Sequence, residues 1–250
     1  MTTAAAADVA LLDLLPARPL VAASVKVGQS GLSVGRRLYT LPRAAFSPQV
    51  TSRFLKTAAA FLGYDAAALR PWLDLSDVFH FGLDPASGTD RHPVRKVYLE
   101  LTADTPDDPT LTYIALKAEP SALRLNRYHA VPLTTAAEAE RLQAALNLAA
   151  RFQPAARALI GALLAGPGDY PTLMVTEDGT QRRSLDFNFA DQAASDQVLA
   201  ALAQLLADLG QSPAAIDRLL TPSLCHAALG VAADGAAFVT LYGYPEVQND

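Results

Sequence analysis

Five segments of the chain read as hairpins whose strands alternate apolar with polar side chains, and helix-like segments separate most of them. They span residues 21–41, 77–102, 111–131, 171–189 and 224–244. The last two turn at Asp178-Gly179 and Asp234-Gly235, the strongest short hairpin signals. The first turns at 28–31, the third at Glu119-Pro120-Ser121, and the second through a longer loop, 84–93. A half-apolar antiparallel sheet usually gives its polar face to water. Here the separating segments look like covering helices, the polar face repeats Tyr, and its cations recur at matched strand positions. The predicted architecture is therefore α+β: a ten-stranded antiparallel β-barrel of five hairpins with helices outside and a polar, cationic lumen. Closure removes exposed strand edges, and ten strands leave a larger chamber than eight.

Period-two alternation assigns the faces. Lys96, Tyr98 and Glu100 oppose Val97, Leu99 and Leu101, and Arg124, Asn126 and Tyr128 oppose Leu123 and Leu125. Ser184, Asp186 and Asn188 oppose Leu185, Phe187 and Phe189, while Thr240, Tyr242 and Tyr244 oppose Val239 and Leu241. On the partner strands His80 opposes Phe79, Phe81 and Leu83, and Tyr113 and Lys117 oppose Ile114 and Leu116. In the first hairpin Ser24 and Lys26 oppose Val25 and Val27, but Arg36 and Arg37 fall on opposite sides. Buried cations without counter-charge are costly, so such a lumen holds water, carboxylates or an anionic ligand.

Helix signals fall between the hairpins. Ser47-Pro48 reads as an N-cap with Pro at the first helical position, opening a helix to about Tyr64. Thr135 and Glu138 form a capping box ahead of one helix ending before Gly166. Further helices are expected over 4–15, over 191–210 and after Ser212-Pro213. Only the polar loop 102–110 joins the second and third hairpins, so one inter-hairpin helix is expected to be missing.

The 250 residues are read as a single domain, 1–250, since no Gly/Ser- or Pro-rich linker divides them. No apolar run approaches the roughly 20 residues of a membrane span. Asp8 and Asp13 and the lack of a basic start argue against a secretory signal. A single cysteine, Cys225, excludes an internal disulfide and fits a cytoplasmic location. A net charge of −5 argues against nucleic acid. Cys225 and His226 point to opposite faces of a strand and make a poor nucleophile–base pair. Gly31-Leu32-Ser33-Val34-Gly35 matches a hydrolase string, but a strand-like run follows it where that motif needs a helix. Asp104, Asp107 and Asp108 are loop acids, and no zinc or calcium spacing and no phosphate-cradling loop is present.

Three matches, one per hairpin, carry a resemblance to the aromatic prenyltransferases of the ABBA type, nearest the dimethylallyltryptophan synthase and cyanobactin peptide-prenyltransferase branches. Lys96-Val97-Tyr98 resembles a Lys-x-Tyr, Arg124-Leu125-Asn126-Arg127-Tyr128 resembles an Arg-x-Lys-x-Tyr with Asn126 replacing Lys, and Tyr242 resembles the tyrosine of the closing strand. Arg37 (or Arg36) takes the place of the first-hairpin arginine. The resemblance implies transfer of an allylic isoprenyl group, dimethylallyl above all, from its diphosphate to a peptide side chain or a small aromatic acceptor such as an indole. Arg37, Lys96, Lys117, Arg124 and Arg182 would hold the diphosphate. Tyr98, Tyr113, Asn126, Tyr128 and Tyr242 would shield the cation or contact substrate, and His80, Glu100 or Asp186 would take the acceptor's proton or orient it. Lys26 falls where the tryptophan-modifying branch carries an indole-binding glutamate. Mg²⁺ could accompany the diphosphate without a protein cage, no organic cofactor is implied, and no residue is assigned as a metal ligand. The alternatives are a non-catalytic barrel carrying a small amphipathic or anionic ligand, and a module that holds a peptide at an open barrel end.

Overall fold

The computed structural model describes residues 10–29, 31–84, 93–102, 108–166, 170–189, 194–220 and 224–243. Its strands are β1 (Leu20–Gly28), β2 (Gly31–Pro42), β3 (Ser76–Asp84), β4 (Val94–Leu101), β5 (Leu111–Glu119), β6 (Ala122–Ala130), β7 (Thr172–Glu177), β8 (Arg183–Asn188), β9 (Leu224–Val231) and β10 (Ala237–Gly243). They hydrogen-bond in the order β1-β10-β9-β8-β7-β6-β5-β4-β3-β2, a closed barrel. The expected ten strands, in five hairpins with surrounding helices, are all present.

The chain divides into two compact units. Unit 1 comprises Met1–Ala23, Ser33–His129 and Glu177–Gly179; unit 2 comprises Ser24–Leu32, Ala130–Thr176 and Thr180–Asp250. In unit 1, α1 (Val50–Leu62) and two 3-10 segments, Arg43–Phe46 and Ala67–Leu75, cover the apolar faces of the hairpin strands. Phe46, Phe54, Phe79 and Phe81 are fully buried there, with the Phe54 and Phe79 rings 4.2 Å apart. In unit 2, α2 (Ala136–Leu146), α3 (Gln153–Leu164), α4 (Asp196–Asp208) and α5 (Pro213–Leu219) do the same work. Leu146, Leu159 and Leu202 from the helices join Leu185, Phe187, Leu229 and Val239 from the strands in one cluster. The apolar half of each alternation thus packs under helices, which leaves the polar half on the opposite face.

Three helix boundaries differ from expectation. Ser47 and Pro48 lie in a turn, and α1 begins at Val50 behind Gln49, which makes no side-chain cap. The helix expected from Thr135 to before Gly166 is two. The capping box of Thr135 and Glu138 starts α2, but Asn147 adopts the left-handed conformation (φ 51°) and ends it. Asn tolerates that geometry better than most residues, and Pro154 then suits the first turn of α3. The 191–210 helix begins later, at Asp196, where Ser195 accepts from the Val198 N–H. Residues 10–14 are helical. Residue 15 is not helical, and residues 4–9 of the expected leading helix, most of the loops 84–93 and 102–110 with Asp104 and Asp107, and Tyr244 lie outside the described residues.

Candidate active site

Strand register turns the scattered cations of unit 1 into a row. Lys96 on β4 faces Lys117 on β5, and Lys117 faces Arg124 on β6. Directly opposed residues stand about 5 Å apart, and like charges so placed repel unless something anionic lies between them. Two carboxylates supply part of that. Glu177, wholly buried at the end of β7, accepts from Lys117 Nζ at 3.1 Å and from Asn126 Nδ2 at 3.3 Å, and lies 3.8 Å from Arg124. Glu119 pairs with Lys117 and, at 3.3 Å, with Arg124. Burial pushes the Glu119 carboxyl up, but Lys117 and Arg124 outweigh it and hold it below its ordinary 4.5. Among the described residues the two carboxylates thus lie against Lys117 and Arg124 of the row.

One and two tiers along the same strands the wall becomes aromatic. Two residues of strand advance about 7 Å, so Tyr98 and Asn126 form the next tier and Glu100, Tyr113 and Tyr128 the one beyond. His80 on β3 faces Tyr98. The four rings close a circuit: His80 to Tyr98 6.3 Å, Tyr98 to Tyr128 5.9 Å, Tyr128 to Tyr113 5.9 Å and Tyr113 to His80 6.1 Å between centroids. Ala115 occupies the middle-tier position on β5 beside Tyr98 and Asn126, so no large side chain comes from that strand. Gly82 does the same beside Lys96: a Cβ there would stand 3.2 Å from the Tyr98 ring.

A chain of hydrogen bonds ties the far tier together. Thr40 Oγ1 lies 2.9 Å from His80 Nδ1, and His80 Nε2 lies 3.2 Å from Glu100. Tyr113 hydrogen-bonds the same carboxylate. The bond to His80 holds Glu100 below its ordinary 4.5 against the opposing effect of burial. Burial, followed by the nearby Glu100 charge, raises the Tyr113 hydroxyl, so it remains a donor at neutral pH. A carboxyl depressed in the folded state contributes stability above its unfolded value and loses it as pH falls through the folded one. Chemical denaturation as a function of pH should therefore show Glu100→Gln with a shallower loss of stability below about pH 4.5 than the parent chain. An unchanged acid limb would count against the His80–Glu100 contact.

Of the two first-hairpin arginines, Arg36 and not Arg37 lies on the polar face. Arg37 faces Leu83, which lies in the apolar cluster, so Arg37 sits on the helix-covered face. Arg36 is 9% exposed and its Nε stands 2.9 Å from Asp84. Unit 2 holds the other expected residues. Asp186 accepts from Ser184 Oγ at 3.0 Å and lies 3.6 Å from His226 Nε2, whose ring is 4.8 Å from that of Tyr242. Arg182 lies against the Phe238 ring. Cys225 Sγ is 3.4 Å from the Tyr242 carbonyl oxygen, which is no nucleophile's setting.

Sequence reasoning passed over Glu177, Glu119, Thr40 and Phe238. Glu119 read only as a turn residue. Glu177 precedes the Asp178-Gly179 turn, and counting back two and four residues to Val175 and Leu173 would have placed it on the face opposite Met174. The short run Thr172–Glu177 is at least partly buried on both faces, so its alternation is weak.

The closed ten-strand order with helices packed on the strands is the fold found in the ABBA-type prenyltransferases. In particular, the chain is similar to the 5-dimethylallyl tryptophan synthase of Streptomyces coelicolor in complex with DMASPP and Trp, with a TM-score of 0.69 and 18% identity over 100% of this chain and 91% of that one. PriB in its binary complex with product diphosphate gives 0.67 and 16% over 98% and 91%. NotF in complex with brevianamide F and DMSPP gives 0.55 and 14% over 90% and 79%. At these identities the likeness is one of fold. No family model matches the sequence, and no curated protein matches it.

Proposed function

We propose that the chain is a prenyltransferase that ionises an allylic diphosphate, dimethylallyl diphosphate in the first instance, and alkylates an electron-rich acceptor. The observation that carries this is the tiering within unit 1, a cation row followed at strand spacing by a closed circuit of four aromatic rings. Lys96, Lys117 and Arg124 stabilise charge developing on the departing diphosphate, a role often dominant in such chemistry. The carbon–oxygen bond breaks with its electron pair on diphosphate. The allylic cation left behind lies against Tyr98, Tyr113 and Tyr128, whose faces attract it by roughly 0.5–2 kcal/mol each and exclude water. An electron pair of the acceptor closes the new bond, and the proton then lost passes to the His80–Glu100 pair. Asp186 and Tyr242 of unit 2 are the corresponding candidates on their own wall. The acceptor is a small aromatic molecule or a nucleophilic side chain of a peptide. Any Mg²⁺ would have to accompany the diphosphate, because the oxygens of Glu119 and Glu177 are already engaged by Lys117, Arg124 and Asn126. A cytoplasmic location accords with the single cysteine, and no helix among the described residues is long and apolar enough to cross a membrane.

Incubation with dimethylallyl and geranyl diphosphates and a panel of indoles, phenols and Trp- or Tyr-containing peptides, read by mass spectrometry, tests the proposal. Lys96→Ala and Arg124→Ala should each lower turnover by about 10²-fold while the thermal midpoint holds. Donor binding without product would instead favour a carrier barrel, and unchanged turnover in both variants would reject the cation row.

A further inference from the structure

Unit 2 carries a second histidine–carboxylate pair, which differs from that of unit 1 in what it leaves free. His226 on β9 faces Asn188 on β8 and Tyr242 on β10, so its ring stands on the polar wall, 4.8 Å from the Tyr242 ring. Asp186, two residues before Asn188, faces Ala228, whose methyl leaves room for the imidazole to turn back along the wall. His226 Nε2 then lies 3.6 Å from Asp186 Oδ2, and Ser184 Oγ donates to the other carboxylate oxygen at 3.0 Å. Nε2 is shut from solvent and makes no hydrogen bond of ordinary length. A lone pair there would face a carboxylate, so the neutral ring carries its proton on Nε2 and its lone pair on Nδ1. The side chain is 28% exposed. Nδ1 is not shut off as Nε2 is, and nothing among the described residues hydrogen-bonds it.

His80 is the contrast. Both its ring nitrogens are taken, Nδ1 by Thr40 and Nε2 by Glu100, so a proton arriving at that pair ends on Glu100. That carboxylate is held below its ordinary value, and so weak a base suits only an acidic proton. An aromatic ring alkylated at carbon gives up such a proton, because the ring is by then a cation. A hydroxyl is different. It loses its proton while it attacks, and with a phenol's ordinary value of about 10 it gains about 10²–10⁴-fold from a placed base. An imidazole with one nitrogen free and the other backed by a carboxylate is such a base. We infer that His226, oriented by Asp186, is a catalytic base for acceptors that react through a hydroxyl, phenols above all. The phenol oxygen bonds the allylic carbon as the bond to diphosphate breaks with its electron pair on diphosphate, and the hydroxyl proton passes to His226 Nδ1. Asp186 stabilises the imidazolium, which then returns the proton to solvent. The assignment rests on the transfer reading above and narrows its acceptor.

The test incubates the full chain with dimethylallyl diphosphate and, in turn, para-cresol, 4-nitrophenol and indole, and quantifies each product by mass spectrometry. At slightly alkaline pH 4-nitrophenol is already ionised and has no proton to give. His226→Gln should therefore lower ether formation from para-cresol by about 10²-fold or more, and from 4-nitrophenol by less than about tenfold. Asp186→Asn should act in the same direction, because its amide would draw the ring's lone pair to Nε2, and it serves if the glutamine variant fails to fold. Imidazole added to His226→Ala should restore part of the para-cresol rate. Equal losses on the two phenols would reduce His226 to a structural role and overturn the inference. So would a parent chain that alkylates indole but forms no ether from para-cresol. A parent chain that alkylates none of the three would overturn the transfer reading, and this assignment with it.

Discussion

Glu177→Ala should be among the most damaging single changes at the candidate site. The carboxylate is fully buried and receives Lys117 and Asn126. Removing one member of a buried, hydrogen-bonded pair costs about 3–5 kcal/mol, because the other charge stays desolvated without its partner. For a chain of this length that corresponds to a fall of roughly 6–20 °C in thermal midpoint. Glu119 still holds Lys117, so the lower end of the range is expected. Replacing both charges, Lys117→Met with Glu177→Leu, should recover much of the loss, since a packed apolar pair carries no desolvation cost. Circular dichroism on the two single variants and the double variant measures this directly. A midpoint within about 2 °C of the parent for Glu177→Ala would show that the pair is not the counter-charge it is taken to be.

Gly230→Ala should be worse still for unit 2. Gly230 on β9 faces Ser184 on β8, and a Cβ there would stand 2.6 Å from the Ser184 Cβ and 2.7 Å from its Cα, with the Arg183 carbonyl oxygen nearer again. These are backbone and first side-chain atoms that cannot rotate away, so the strands must part or the register must shift. The cost should exceed the about 1–3 kcal/mol of ordinary overpacking. Gly161, in the middle of α3, is the matched control, because an added Cβ meets nothing within 4 Å. Gly161→Ala should gain about 0.5–1 kcal/mol through helix propensity. Denaturant titration of both variants reads the contrast, and a mild effect at Gly230 would mean that β8 and β9 are less closely paired than they stand.

Much of the barrel was legible because its signals are local. The Asp-Gly turns at 178–179 and 234–235 sit where β7 meets β8 and β9 meets β10. The alternation in 94–101 and 123–130 put Lys96, Tyr98, Arg124 and Tyr128 on the polar wall, where they stand. The capping box at Thr135 starts a helix as expected. The reading stayed ambiguous where two local signals competed. Arg36 and Arg37 are adjacent cations on opposite faces, and only the pairing of Arg37 with Leu83 and the contact of Arg36 with Asp84 separate them. Asn147 looked like any polar helix residue, because its left-handed backbone is a property of the turn it makes.

A period of two along each strand is written in neighbouring residues, so the faces, the hairpins and the inventory of cations and phenols follow from chain chemistry alone. Which of those groups meet is another matter. Lys96, Lys117 and Arg124 come into line, and Glu177 arrives beside Lys117, 60 residues away, and beside Arg124, only once the strands have paired in register. That alignment is tertiary: cross-strand neighbours depend on turn lengths and on helices packing the outer faces, and no alternation within one strand encodes its offset against the next.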